Sequence, residues 1–138
     1  MPAWSPNWSA LPEELATFWG EYHLCSLSTV AIDGAPHAVP VGAVLDPEQE
    51  CAWIITRRGS QKVRNLTRDP RLAITQVDGG RWSTIIGTGE VREDEESIAR
   101  ACARYADRYR TPEPNPERVA VRITVDRFLG SALVLPTS

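Results

Sequence analysis

The chain alternates between runs of apolar, β-branched residues and short clusters of glycine, proline and aspartate, which is typical of antiparallel strands joined by tight turns. Strands are predicted at residues 23–32, 36–45, 51–56, 71–77, 82–91 and 119–125. In the last of these, every second residue from Val119 to Val125 is apolar. Tight turns at 33–34 and 46–48 predict that the first three strands form an antiparallel meander.

Three helices are predicted, at residues 11–19, 60–67 and 94–109. The first has Pro12 at its opening position and its apolar residues on one side, which predicts a lid on the core. The third has acids at its start and arginines towards its end, as its dipole favours. Together these elements predict a mainly β (α+β) fold, a small six-stranded antiparallel β-barrel with three short helices.

Composition limits the classes of protein that fit. The 138 residues suffice for one core, and we expect a flexible arm at 1–10 and a single domain at 11–138. A net charge of -3 argues against a nucleic-acid-binding protein. No apolar run has membrane-spanning length and the start does not resemble a signal peptide, so a cytoplasmic protein is predicted. The three cysteines are far apart and lack a histidine at ligand spacing, which favours buried thiols and no metal site.

Positive charge is concentrated where the third strand runs into the second helix. Residues 54–71 contain six basic residues and a single acid, although the whole chain is acidic. Ser60 is in position to cap the helix, and the chain's only lysine, Lys62, lies in its first turn. Free N–H groups and the positive end of the dipole, with Arg57 and Arg58 nearby, predict a phosphate site. The alternative is a solvated basic helix face.

The sequence contains no recognisable acid–base apparatus and no metal-binding spacing. His23 is interpreted as structural. His37 lies on the second strand, where Pro40 removes a backbone donor and Gly42 carries no side chain, so a planar ring could lie against this strand. A phosphate site without a catalytic dyad indicates that a bound cofactor supplies the reactivity.

The segments 37–40, 54–62 and 69–73 resemble the pyridoxine phosphate oxidase-like split β-barrel proteins, specifically the flavin/deazaflavin oxidoreductases of the B group, known from actinobacteria. Segments 22–24, 76–82, 104–112 and 129–132 are similar to the deazaflavin-dependent biliverdin reductases within that family. The resemblance implies a homodimeric split β-barrel that binds coenzyme F420, or alternatively FMN, in a groove at the subunit interface.

The resemblance also implies which residues form the site. The phosphate-binding turn falls on Arg58, Gly59, Ser60, Gln61 and Lys62. The strand beside the deazaflavin ring falls on His37, Ala38, Val39 and Pro40, with Ile54, Ile55 and Thr56 next to it. Gln76 and Val77 are expected near the cofactor and the interface, and Arg57, Arg81 and Trp82 on the substrate side.

The implied reaction is hydride transfer from the reduced deazaflavin to biliverdin, which gives bilirubin. No catalytic residue is assigned, because the proton could come from His37 or from solvent, and Arg57 or Arg81 could pair with the propionates. Two alternatives stay open. One is a deazaflavin- or flavin-dependent reductase of another conjugated substrate, such as an enone or a quinone. The other is a carrier that binds a deazaflavin or a haem derivative without turning it over.

Overall fold

The computed structural model describes residues 3–135 as one antiparallel β-sheet with three helices packed against it. The strands are β1 (Ala3–Trp4), β2 (Cys25–Val30), β3 (Pro36–Val41), β4 (Ala43–Asp46), β5 (Cys51–Arg57), β6 (Arg71–Asp78), β7 (Arg81–Arg92) and β8 (Arg118–Gly130). The helices are α1 (Glu13–Gly20), α2 (Gln61–Arg68) and α3 (Glu95–Arg108). The predicted mainly β fold class is confirmed, with eight strands in the described residues where six were predicted.

The order of the strands corrects the predicted meander. Hydrogen bonding arranges the longer strands as β3-β2-β6-β7-β8-β5-β4, and β1 pairs with β8. The predicted strand at 36–45 divides at Gly42, because β3 pairs with β2 whereas β4 pairs with β5. A period-two pattern is the same on either side of such a change of partner, so it does not reveal the division. Since β3 and β4 are consecutive in the chain, the two ends of the curled sheet meet at Gly42.

The core lies between the inner face of the sheet and α1, which buries Leu15, Phe18 and Trp19 as the predicted lid. The predicted flexible arm begins outside the described residues. Ala3 and Trp4 pair with β8, and the rings of Trp4 and Trp8 lie 5.8 and 6.2 Å from the ring of Phe128. These tryptophans therefore extend the core.

Side-chain hydrogen bonds hold the other two helices against strands that are distant in the sequence. Asn65 of α2 is buried and donates from its side-chain amide to the hydroxyl of Thr29 on β2 at 3.1 Å. Arg100 of α3 donates to the buried carboxylate of Asp46 at the end of β4, at 2.7 and 2.8 Å. None of the helices in the described part of the chain combines the length and the apolar character that a bilayer crossing requires.

Candidate functional site

The start of α2 presents free backbone donors, as the sequence predicts. Ser60 stands at the N-cap with extended backbone angles, but its side chain makes no capping bond. Its hydroxyl lies instead 3.4 Å from the hydroxyl of Thr56, which corrects the predicted cap. Among the described residues the N–H groups of Gln61, Lys62 and Val63 meet no acceptor. Three donors and the positive end of the helix dipole therefore converge on one point, which we call the corner at α2 (residues 57–62).

Lys62 adds a charge to this point that nothing in the described chain neutralises. Its side chain is half-buried and forms no ion pair with any described carboxylate. Burial lowers the pKa of Lys62 from its ordinary value of 10.5, and the nearby charge of Arg57 lowers it further. A bound anion would relieve both effects, because it would stabilise the ammonium form.

The other residues around this turn differ in their ion pairs and in the space beside them. Arg58 is bound by Glu93 at 2.6 Å and by Glu117 at 3.1 Å. Both acids come from distant parts of the chain, so the positive charge read from residues 54–71 is partly neutralised in the fold. Gly59 is open, since a Cβ added there would meet nothing within 4 Å. Arg57 is exposed and makes no ion pair among the described residues.

Among the described strands, β3 is hydrogen-bonded to β2 alone, and its side chains alternate between two environments. Ala38 and Pro40 are exposed, whereas His37 and Val39 are half-buried. The Nδ1 atom of His37 is buried and has no hydrogen-bond partner among the described residues. An orphaned nitrogen of this kind is costly, which makes it a candidate for a bond to a bound ligand.

Helix α2 lies on the same side of the sheet as His37. Thr29 sits directly opposite His37 in the β2–β3 register and accepts the hydrogen bond from Asn65. Gln61, in the first turn of α2, donates to the side-chain oxygen of Asn65 at 2.8 Å. The chain of contacts from His37 through Thr29 and Asn65 to Gln61 therefore joins the two predicted parts of the cofactor site.

A split in the sheet lies between β3 and the end of β5. The pairing of β4 with β5 begins at Ala43 and Ile54, and the residues before Ala43 belong to β3, which pairs with β2 instead. No strand within residues 3–135 pairs with the edge of β5 from Ile55 to Arg57 on this side. Ile54 is 1% exposed and its backbone is paired on both edges. Its side chain therefore packs in the core beneath the split and offers no surface to a ligand.

The absence of a side chain at Gly42 predicted open backbone against which a planar ring could lie. The structure corrects this prediction, because two tyrosine rings occupy that space. A Cβ added at Gly42 would lie 2.8 Å from the ring of Tyr105 and 2.9 Å from the ring of Tyr109. The hydroxyl of Tyr109 donates to the backbone oxygen of His23 at 2.6 Å. Glycine is therefore needed here so that two tyrosine rings can close the sheet where its ends meet.

An open pocket of about 320 Å³ adjoins the unpaired edge of β5. Its walls include the predicted site residues Ile55, Thr56 and Arg57. The rest of the lining comes from residues that were not predicted for the site, namely Tyr105, Arg110, Pro112, Glu113, Asn115 and Arg118. Finding Arg118 required the register of β5 with β8, which pairs it with Arg57, and no local motif reveals that register.

Two of the predicted residues on β6 and β7 are used by the fold itself. Gln76 is 2% exposed, donates to the backbone oxygen of Phe18 at 2.9 Å and accepts from Arg108 at 2.6 Å. Arg81 donates to the carboxylates of Glu21 and Asp78. Gln76 is buried and Arg81 is held in ion pairs with two acids, so neither is carried into the site that we propose below.

Val77 and Trp82 face each other across β6 and β7. Val77 is 68% exposed, and Trp82 is half-buried. Because both side chains point to the same outer face of the sheet, they form an apolar surface in place of a polar binding site. Neither residue lines the pocket beside Ile55, Thr56 and Arg57.

Comparisons with known proteins agree with this architecture. The family model for pyridoxamine 5'-phosphate oxidase matches residues 11–131. A protein of Mycobacterium tuberculosis, described as an F420H(2)-dependent biliverdin reductase, is 42% identical over 125 residues, which cover 91% of each chain.

Solved structures show the same arrangement. A conserved hypothetical protein from Mycobacterium tuberculosis superposes with a TM-score of 0.74 at 30% identity, covering 91% of this chain and 88% of that one. A structure described as an F420 reductase has a TM-score of 0.70 at 23% identity and covers 86% of this chain and 98% of that one. At that identity the second likeness shows the fold alone.

Proposed function

The chain belongs to the pyridoxamine 5'-phosphate oxidase family, and on this premise we propose that it is an F420-dependent reductase that converts biliverdin to bilirubin. The observation that carries the proposal is the identity of 42% with an F420H(2)-dependent biliverdin reductase along 91% of both chains. Matching over nearly the whole length includes the corner at α2, the edge strand β3 and the pocket. The relative's cofactor and substrate are therefore the first to be tested here.

The residues at the corner fit a phosphorylated cofactor. Lys62 is half-buried and has no carboxylate partner in the described chain, where the first N–H groups of α2 also meet no acceptor. Gly59 leaves room for a phosphate to approach the backbone. We propose that Gly59, Ser60, Gln61 and Lys62 hold the phosphate, while Arg58 orders the turn through Glu93 and Glu117.

The edge strand β3 would form the part of the site that receives the deazaflavin ring. His37, Ala38, Val39 and Pro40 form its accessible part, and Ile55 and Thr56 lie on the unpaired edge of β5. When bound, F420H2 would supply the hydride, so the chain itself needs no redox group. The tasks of these residues are to orient the two planar partners and to exclude water.

His37 is the one described side chain at this strand that combines a titratable ring with an unused polar atom. Its buried Nδ1 lacks a partner, so it can accept a hydrogen bond from the cofactor or hold a proton near the substrate. We propose that it positions the cofactor ring. Turnover of His37 variants at saturating cofactor and substrate tests whether it also supplies the proton at the pyrrole nitrogen. A loss of rate under these conditions would assign it that role.

We also propose that the active form is a homodimer with the cofactor at the interface, in the cytoplasm. Large apolar side chains remain exposed in the single chain, among them Leu24 at 65%, Ile32 at 83% and Val77 at 68%. Burial of such side chains is a common driving force for association. All three cysteines are free thiols, which fits a reducing compartment. Light scattering of the purified protein tests the dimer.

The decisive experiment mixes the protein with F420H2 and biliverdin under anaerobic conditions and follows the visible band of oxidised F420. Stoichiometric formation of bilirubin supports the proposal. FMNH2 in place of F420H2 tests the alternative cofactor, and enones and quinones in place of biliverdin test alternative substrates. If no acceptor reoxidises either cofactor faster than the protein-free control, the reductase function is wrong and a carrier function takes its place.

A further inference from the structure

The pocket beside the end of β5 carries more positive charge than its own surroundings neutralise. Its lining contains three arginines, Arg57, Arg110 and Arg118, against a single acid, Glu113. None of the three arginines forms an ion pair with a carboxylate in the described part of the chain. By contrast, Arg58, next in the chain to Arg57, is held by two glutamates.

The register of the sheet sets two of these charges against each other. Arg57 is the last residue of β5 and Arg118 the first of β8, and the two are direct cross-strand partners. Like charges in this position destabilise a sheet. Arg118 is half-buried, so its charge is less screened than that of a fully exposed arginine. An anion bound between the two guanidinium groups would turn this repulsion into attraction.

The remaining walls suit a flat carboxylate. Thr56 and Asn115 offer short polar groups, while Tyr105 and Pro112 offer apolar surface on which the carbon arm of a ligand could rest. At about 320 Å³ the pocket lies at the small end of ligand sites, so it would take one arm of a large molecule. Arginine forks pair with carboxylates in a bidentate manner, which favours a carboxylate over a single-point acceptor.

Arg57 also connects the pocket to the corner at α2. Burial is the larger cause of the lowered pKa of Lys62, and the nearby charge of Arg57 is the second. The side chain of Arg57 also lines the pocket. Arg57 therefore belongs both to the pocket and to the positively charged start of α2.

We propose that Arg57, Arg110 and Arg118 form a carboxylate-binding subsite. Resting on the proposed function, this assigns the subsite either to a propionate of the linear tetrapyrrole or to the glutamate tail of F420. Both groups present the same carboxylate chemistry. Arg110 and Arg118 are then determinants of specificity that lie outside the corner at α2, with Arg110 following α3 and Arg118 at the start of β8.

The test uses Arg110→Met and Arg118→Met, which keep much of the aliphatic stem and remove the charge. Arg127→Met serves as the matched control, because Arg127 is an exposed arginine on the same strand as Arg118, nine residues further along β8. Arg118→Lys retains the charge and checks that any loss is electrostatic. Dissociation constants are measured by calorimetry at low salt, without turnover.

One arm compares biliverdin with its dimethyl ester, and the other compares F420 carrying several glutamates with the form that lacks them. If the pocket binds the propionates, wild-type protein prefers the free acid by about tenfold or more, and both Met variants reduce this preference to near unity. If the pocket binds the tail, the same loss is seen for the glutamylated cofactor. Arg127→Met keeps the wild-type constants in both arms.

Equal binding of acid and ester, and of both cofactor forms, by the wild-type protein and the variants would overturn the subsite. That result leaves the proposed function intact if the wild-type protein still reduces biliverdin with F420H2. Conversely, wild-type protein that shows the carboxylate preference but reoxidises no F420H2 would support the subsite and refute the reductase function. The two failures are therefore told apart by the same set of proteins.

Discussion

Lys62 lies beside Arg57 at the point where β5 runs into α2, and the two positive charges share no carboxylate among the described residues. Burial lowers the pKa of Lys62, and the charge of Arg57 adds to this effect. A folded protein without a ligand therefore carries an unfavourable interaction at this corner. Binding of an anion removes it, which is how the corner gains affinity for a phosphate.

Replacing Lys62 tests this interaction directly. Lys62→Met keeps the stem of the side chain and removes the charge, so F420 should bind about 1–3 kcal/mol more weakly, the range for losing a charge-assisted hydrogen bond. Fluorescence titration of F420 measures the change. Arg71→Met is the control, because Arg71 is exposed and its charge is paired with Asp69. Unchanged affinity in Lys62→Met would remove this lysine from the phosphate site.

The lowered pKa of Lys62 also predicts a dependence on pH. The folded-state pKa lies below the ordinary value of 10.5, so the protonated lysine opposes folding at neutral pH and this penalty disappears as pH rises through the folded-state pKa. The ligand-free Lys62→Met variant should consequently unfold at a higher temperature than wild type at pH 7. Cofactor affinity should fall in wild type, but stay flat in the variant, as the pH rises towards 10.5. Parallel pH profiles in the two proteins would contradict the assignment.

His37 should show opposite effects on stability and binding. Because its buried Nδ1 has no partner in the described chain, His37→Phe removes an unsatisfied polar atom and should stabilise the free protein by about 1 kcal/mol. The same change should weaken F420 binding by a similar amount. Denaturant unfolding and cofactor titration measure the two effects. His23→Phe is the control, since His23 bonds to Glu21, and it should leave the cofactor affinity at the wild-type value.

Asp46 is predicted to be the main electrostatic support of α3. Its fully buried carboxylate accepts hydrogen bonds from Arg100 and from the indole of Trp53. Burial alone would raise the pKa of Asp46, but these bonds outweigh it and lower the pKa below the ordinary value of 3.8. Asp46→Asn should reduce the free energy of unfolding by about 1.5–3 kcal/mol at pH 7.

The sign of the pH effect follows from that lowered pKa. The stability contributed by Asp46 is present above pH 3.8 and is lost as pH falls through the folded-state pKa, so the gap between wild type and Asp46→Asn should narrow in strong acid. Denaturant unfolding at a series of pH values measures this gap. Asp126→Asn, at an exposed position on β8, should show no comparable loss. A gap that stays constant from pH 7 to pH 2 would contradict the ion pair.

Two glycines near the split should respond differently to alanine. Gly42→Ala places a methyl group against the rings of Tyr105 and Tyr109 and should cost about 1–3 kcal/mol of folding free energy. Gly59→Ala meets no neighbour and should leave thermal unfolding nearly unchanged, yet weaken F420 binding, because the methyl group occupies the approach to the free N–H groups of α2. Full cofactor affinity in a stable Gly59→Ala protein would show that the phosphate does not approach this turn.

The corner at α2 could be predicted from the sequence because its parts are contiguous. A strand, a glycine, a serine and a lysine within one short segment define where a helix begins and which charges surround it. The hydrogen bond of Ser60 could not be predicted in this way, because its hydroxyl turns towards Thr56. Nor could the neutralisation of Arg58, since Glu93 and Glu117 reach it only through the fold.

The split itself depends on strand partners. Residues 36–45 show one continuous strand pattern, and only the pairing of β3 with β2 and of β4 with β5 breaks it at Gly42. The pocket likewise depends on the register that sets Arg118 against Arg57. Composition and periodicity specify neither register nor partner, so these parts of the site required the three-dimensional structure.

A crystal structure of the protein with F420 bound tests the central claim most directly. The account predicts that a phosphate oxygen lies within hydrogen-bond distance of the Nζ atom of Lys62 and of the N–H groups that open α2. A structure in which the cofactor is bound but its phosphate lies elsewhere, with Lys62 still unpaired, would contradict it.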